Sequence, residues 1–211
     1  MPARPSITKA GADARPPVEA ARRIIAGARR YFFSHGFRGV TMDDLANELG
    51  MSKKTLYAHF ESKMALLHAV MDDKLSAVES DLERVLRDAG GNFPERLQAL
   101  LSCMRMHTEE IGAAYVRDVR REAPELFAHV QQRRRDLIQR FFGKLIQDGR
   151  KAGMIRKDIP TVMLIEMLLG AVDSVVIPTK MDELKTTPRE AFIQIITVFL
   201  EGALTDEGRK K

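Results

Sequence analysis

From about residue 17 to near the end of the chain, apolar residues return every three or four positions, the repeat of helices that bury one face. Ala21, Ile24, Ile25, Ala28, Tyr31 and Phe32 form such a stripe on a first helix of about 17–35, with Arg22, Arg23, Arg29 and Arg30 mostly off it. Pro17 suits a first-turn position, and Gly36 suits the left-handed position past the last turn. Short helices at about 41–49 and 52–60 follow. Met64, Leu67, Met71, Leu75, Val78, Leu82 and Val85 then trace a long one to about Ala89, where Gly90 and Gly91 stop it. Further helices are expected at about 94–111, 113–123, 125–152, 159–177 and 188–204. Gly153, Asp158-Ile159-Pro160 and a polar segment from Pro178 to Pro188 punctuate them. No run alternates strictly between apolar and polar, so the pattern predicts an all-α chain of about nine helices.

Two of these stretches lack a polar face. Ile159 to Ile177 and Ala191 to Leu204 are apolar almost all round and need cover on every side. In a chain this short, a second copy is the expected cover, giving a homodimer through 159–177 and 188–204. A monomer burying both helices internally is the alternative. The first stretch is about as long as a membrane span, but Glu166 and Asp173 are costly in lipid, and Pro160 and Pro178 bracket it. It reads as a buried helix, with no membrane partner.

Charge adds an asymmetry. The 211 residues carry 34 Lys and Arg against 29 Asp and Glu, a net charge of +5. Up to Lys63 there are 11 basic and 6 acidic residues, and from Met64 onward the two kinds balance. All of the surplus sits in the first third, as expected of a polyanion-binding head on a neutral body. The division predicted is a disordered basic arm at 1–16, a DNA-binding domain at 17–63 and a helical ligand-binding and dimerisation domain at 64–211. The single cysteine, Cys103, excludes an internal disulfide and any Cys-rich metal site. Met1 to Arg15 lacks the apolar run of a secretory signal, so a cytoplasmic location is expected.

The most specific segment is Thr41 to Phe60, TMDDLANELGMSKKTLYAHF. Two short helices joined through Leu49-Gly50-Met51-Ser52 are what a helix-turn-helix requires. Ala46 allows close approach, Gly50 supplies the left-handed turn, and Leu45, Leu49, Met51 and Leu56 supply a shared core. Ser52 caps a second helix whose first turn presents Lys53, Lys54 and Thr55, chemistry suited to phosphates and guanine edges. Gly36-Phe37, Thr41 to Ala46, Gly50-Met51-Ser52, Thr55-Leu56-Tyr57, His59-Phe60, Ser62-Lys63 and Leu66-Leu67 together resemble the N-terminal signature of the tetracycline-repressor (TetR) family. The resemblance covers about Arg22 to Val70. Beyond it, only helix count and length agree. It implies a homodimeric, ligand-responsive transcriptional regulator, in most members a repressor. It also implies phosphate contacts from Thr41, Tyr57 and Lys63, with Ser52, Lys53, Lys54, Thr55 and His59 on the recognition helix. Lys54 departs from the small residue many relatives carry there, which leaves the base it meets open.

In the body, Arg134 falls within the apolar stripe of Phe127, Val130, Ile138, Phe141, Leu145 and Ala152. Glu166 and Asp173 lie seven apart on one helix face, with Gly170 between them. These polar residues either line a ligand cavity or form an internal salt bridge. Cys103 and His107, four apart, match a metal-ligand spacing, but with Glu110 as the sole further candidate no metal site is assigned. Met104, Met106, Met163, Met167 and Tyr115 suit a plastic apolar pocket, or ordinary core packing. The ligand-binding candidates are Cys103, Met104, His107, Tyr115, Phe127, Arg134, Met163, Glu166, Met167, Gly170 and Asp173. No nucleophile-and-base pair, phosphate loop or metalloprotease helix is present, and His35, His59, His68, His107 and His129 are scattered, so neither an enzyme nor a cofactor is expected. The reading is a regulator that binds a double-stranded DNA operator and is released by a small-molecule effector. The alternative is a ligand-independent architectural DNA-binding protein.

Overall fold

A computed structural model describes residues 17–88 and 92–209. The basic arm expected at 1–16 and the Gly90-Gly91 stop lie outside the described residues. The helices are α1 (Pro17–His35), α2 (Met42–Glu48), α3 (Lys53–His59), α4 (Lys63–Asp88), α5 (Phe93–Glu109) and α6 (Ala113–Glu122). They continue as α7 (Pro124–Lys151), α8 (Thr161–Val175), α9 (Pro178–Leu184), α10 (Pro188–Ala203) and α11 (Asp206–Arg209). Nine helices were expected, and eleven stand among the described residues. The additions are α9, inside the segment read as polar punctuation, and the single turn of α11. Helix α9 forms because Pro178 suits a first turn and Met181 is buried against the body, where one anchored side chain outweighs a polar composition.

Two apolar clusters organise the chain. The first is built by Ile24, Ala28 and Phe32 of α1, Leu45 and Ala46 of α2, Leu56 of α3, and Leu66, Leu67 and Val70 of α4. It does not end with the head. Tyr115 and Val119 of α6, Ala123, and Leu126 of α7 belong to the same cluster. The second lies in the body, around Phe141, Phe142 and Leu145 of α7 and Leu164, Leu168 and Leu169 of α8. Helix α4 contributes to both. At 26 residues it is about 39 Å long at the α-helical rise.

The chain between α7 and α8 is clasped to the end of α10. Ile155 pairs with Leu204, Arg156 donates its backbone N–H to the Ala203 carbonyl at 3.1 Å, and Thr205 donates to Met154 at 2.9 Å. No helix among the described residues is long and apolar enough to cross a membrane.

Candidate nucleic-acid interface and effector cavity

The helix-turn-helix is set by local capping. Thr41 precedes α2 with an extended backbone. Its Oγ1 accepts the Asp44 amide at 3.1 Å, while the Asp44 carboxylate accepts the Thr41 amide at 2.8 Å. These bonds hold the Asp44 carboxyl below its ordinary value. At the other end Gly50, at φ +61°, donates to Asn47 at 3.1 Å, and Met51 donates to Ala46 at 2.9 Å. This paired closure needs the left-handed residue that glycine provides without strain. Ser52 then starts α3, its hydroxyl accepting the Thr55 amide at 3.1 Å.

Helix α3 buries only Leu56 and turns the rest outward. Among the described residues, exposed Lys54 and Tyr57 and half-buried His59 carry no side-chain hydrogen bond or ion pair. The other sequence candidates are engaged. Lys53 pairs with Asp43, and the Thr55 hydroxyl meets Ser52 Oγ at 2.9 Å. Lys63 donates to the carbonyls of Val40 (2.8 Å) and Phe37 (2.9 Å), with its ammonium 4.2 Å from the Phe37 ring centre. Thr41, Ser52 and Lys63 therefore shape the head locally, and of the sequence candidates Lys54 and Tyr57 are the most available.

The head is latched to α6. Asp118 Oδ2 accepts the amides of Phe37 (3.1 Å) and Arg38 (2.9 Å). Gly36, at φ +84°, allows this approach, because a Cβ there would stand 2.7 Å from the same oxygen.

A cavity of about 220 Å³ lies in the body between α4, α5, α6, α7 and the end of α8, with Met181 of α9 at its wall. Of the eleven sequence candidates, Met104, His107, Tyr115, Phe127, Arg134 and Asp173 line it. Cys103 instead borders a separate hollow with Asp81, Arg84 and Met106. Met163, Glu166, Met167 and Gly170 are exposed on the opposite face of α8. Arg134 pairs with Asp173 on the cavity wall, while Arg135 bridges Asp173 (3.0 Å) and Glu166 (2.8 Å). The choice between salt bridge and cavity lining was therefore no choice: the Arg134–Asp173 pair is both.

Sequence reasoning missed Lys74. It is 3% exposed, lines the cavity, and stands within the apolar stripe of α4 between Met71 and Leu75. That placement was the available signal. Its ammonium donates to His107 Nδ1 at 2.9 Å and meets Glu110 at 3.0 Å, and His107 Nε2 faces Asp81 at 2.9 Å. Nδ1 accepts from the ammonium, so the imidazole proton resides on Nε2 and is donated to Asp81. Burial lowers the Lys74 pKa, and Glu110 works against that. Burial and the neighbouring ammonium likewise hold His107 below its ordinary value, so the imidazole is neutral at pH 7. Glu110 also binds Arg29 of α1 at 2.7 Å. With both His107 nitrogens engaged, the Cys103–His107 spacing makes no ligand pair, and no three His, Cys, Asp or Glu side chains among the described residues are grouped to hold a metal.

A helix-turn-helix with an outward polar recognition helix, joined to a helical body enclosing a cavity, defines a DNA-binding transcriptional regulator. The family model described as bacterial regulatory proteins, tetR family, matches residues 24–70, so the chain carries the DNA-binding domain of that family. It is 24% identical over 190-odd residues to the HTH-type transcriptional repressor DhaR of a Mycobacterium species, spanning 90% of this chain and 94% of that one. It is 27% identical to the HTH-type transcriptional regulator UidR of Escherichia coli, over 87% of this chain and 92% of that one. A TetR-family regulator from Agrobacterium tumefaciens superposes with a TM-score of 0.69 at 15% identity, covering 90% of this chain and all of that one.

Proposed function

We propose that the protein is a homodimeric repressor that leaves its operator when a small molecule fills the body cavity. One observation carries the reading. Met71, Tyr115 and Val119 line the cavity and also belong to the apolar cluster of the DNA-binding head. A molecule that pushes on these side chains displaces the same core that seats α1 to α3, so cavity and recognition helix share parts. Helix α4 acts as the lever, and its tilt sets the distance between the two recognition helices of the dimer. That distance must match successive major-groove turns, about 34–36 Å or a multiple. The coupling is reciprocal: DNA lowers ligand affinity by the factor by which ligand lowers DNA affinity.

The dimer forms through the outer faces of α8 and α10. Val162, Met163 and Met167 of α8 and Ile193 and Val198 of α10 are 42–72% exposed, an apolar surface that an identical partner covers. Residues 17–63 form the DNA-reading unit and 64–211 the sensing and dimerising unit. Lys54, Lys53, Thr55, Ser52 and His59 address bases and adjacent backbone, and Tyr57, Thr41 and Lys63 the phosphates. A chromosomal operator places the protein in the cytoplasm.

Randomised-site selection with the full chain, followed by footprinting, tests the reading. A palindromic site with half-site centres one or two helical turns apart is expected. Recovery of DNA without sequence preference would favour an architectural role.

A further inference from the structure

The chemistry of the cavity wall specifies what enters it. Lys74 has three ammonium protons and spends two, on His107 Nδ1 and Glu110. The third has no acceptor among the described residues, on a side chain almost wholly buried at the cavity wall. Arg134, on the same wall, keeps its Nε without an acceptor. The wall's hydroxyl protons are spent and its carboxylate is already held by cations. Both Asp173 oxygens are held by Arg134 and Arg135, the Thr108 hydroxyl donates to Met104, and the Tyr115 hydroxyl donates to the Met71 sulfur. Among the described lining residues, the Gln131 amide alone offers both a free donor and a free acceptor. The cavity thus asks for an acceptor.

Charge decides between a carboxylate and a neutral acceptor. Around Lys74 the ions already balance: Lys74 and Arg29 against Glu110 and Asp73, and Arg84 against Asp81. Arg134 and Arg135 face Asp173 and Glu166 in the same proportion. A carboxylate would add a buried charge with no cation left to meet it, since the remaining lining cation, Arg120, is exposed at the rim. An ammonium would add a further cation beside Lys74 and Arg134. The volume corresponds to about seven waters of liquid, or an organic molecule of about ten non-hydrogen atoms.

We infer that the effector is an uncharged, largely apolar carbonyl compound of about that size, a ketone, ester or lactone, whose carbonyl oxygen accepts the third N–H of Lys74. This rests on the reading of the cavity as the effector site. Lys74 meets Glu110 and Glu110 holds Arg29, so Lys74 sits two polar contacts, and the carbonyl three, from α1 of the head.

Calorimetry with four probes of matched length, 2-nonanone, nonanoate, nonylamine and nonane, tests the inference on the full chain. The ketone should bind most tightly. Lys74→Met should weaken it about tenfold or more while leaving nonane unchanged, a loss equal to about 1.4 kcal/mol. Carbonyl-labelled 2-nonanone gives a readout independent of how the variant folds: on binding to the wild-type protein, its carbonyl carbon should resonate downfield of its value in hydrocarbon. Nonanoate or nonylamine binding more tightly than the ketone, or a hydrocarbon-like carbonyl resonance, overturns the neutral-carbonyl assignment and leaves the effector site standing. If no probe binds below about 1 mM, both fall, because even nonane should enter an effector cavity with these walls.

Discussion

Helices α3 and α8 both turn a face to water, and the two faces are opposite in kind. On α3 the exposed side chains are Lys53, Lys54, Thr55, Tyr57 and the small Ala58, with only Leu56 buried. On α8 they include Val162 at 69%, Met163 at 51% and Met167 at 55% exposure. A polar face is stable in water and becomes useful when phosphates arrive. An apolar face of that extent is unfavourable until covered. The difference supports the proposal that the first surface meets nucleic acid and the second a protein partner, and each can be broken separately.

Met167→Arg should have the largest effect. A charge in the middle of the apolar face should leave a folded monomer by sedimentation, and operator affinity should fall about 100-fold or more as the second half-site is no longer tethered. A Met167→Arg protein that remains dimeric would contradict the contrast. Phe32→Ala comes next, at about 3–5 kcal/mol for a fully buried aromatic. Tyr115 and Val119 share its cluster, so thermal unfolding should show one transition shifted down for the whole chain, rather than an early melting head.

The head's own face separates more finely. Lys63→Ala should lower stability by about 1 kcal/mol, since the carbonyls of Phe37, Val40 and, at longer range, Arg38 lose their donor, and weaken binding to every sequence. Lys54→Ala should leave the melting temperature unchanged and alter base preference in the selection. The smallest effect concerns pH. His107 has a folded pKa below its ordinary 6.5, because burial and Lys74 disfavour the imidazolium more than Asp81 favours it. The unfolded chain therefore binds the proton more readily, so stability present above about pH 6.5 is lost as pH falls. Melting temperatures read from about pH 7.5 to 5.5 should decline, and His107→Gln should flatten that decline.

What was legible in the sequence was what is local. Caps at Thr41 and Ser52 and the left-handed Gly36 and Gly50 act within five residues, and each stands where the pattern placed it. The cavity was half legible, because its wall joins six helices. Met163 and Met167 have the right chemistry but face outward, and residue type does not reveal helix rotation. Lys74 has the wrong chemistry for a core stripe and is buried nonetheless, because its partners His107 and Glu110 lie over 30 residues away.

The shared cluster also bears on how such proteins can be recombined. A chimera that grafts residues 17–63 onto another regulator's body would carry Phe32 and Phe33 into a frame without Tyr115, Val119 and Leu126. The transplanted head would have one wall missing. The transferable unit is therefore discontinuous in sequence: α1 to the first turns of α4, together with the buried side of α6 and the start of α7.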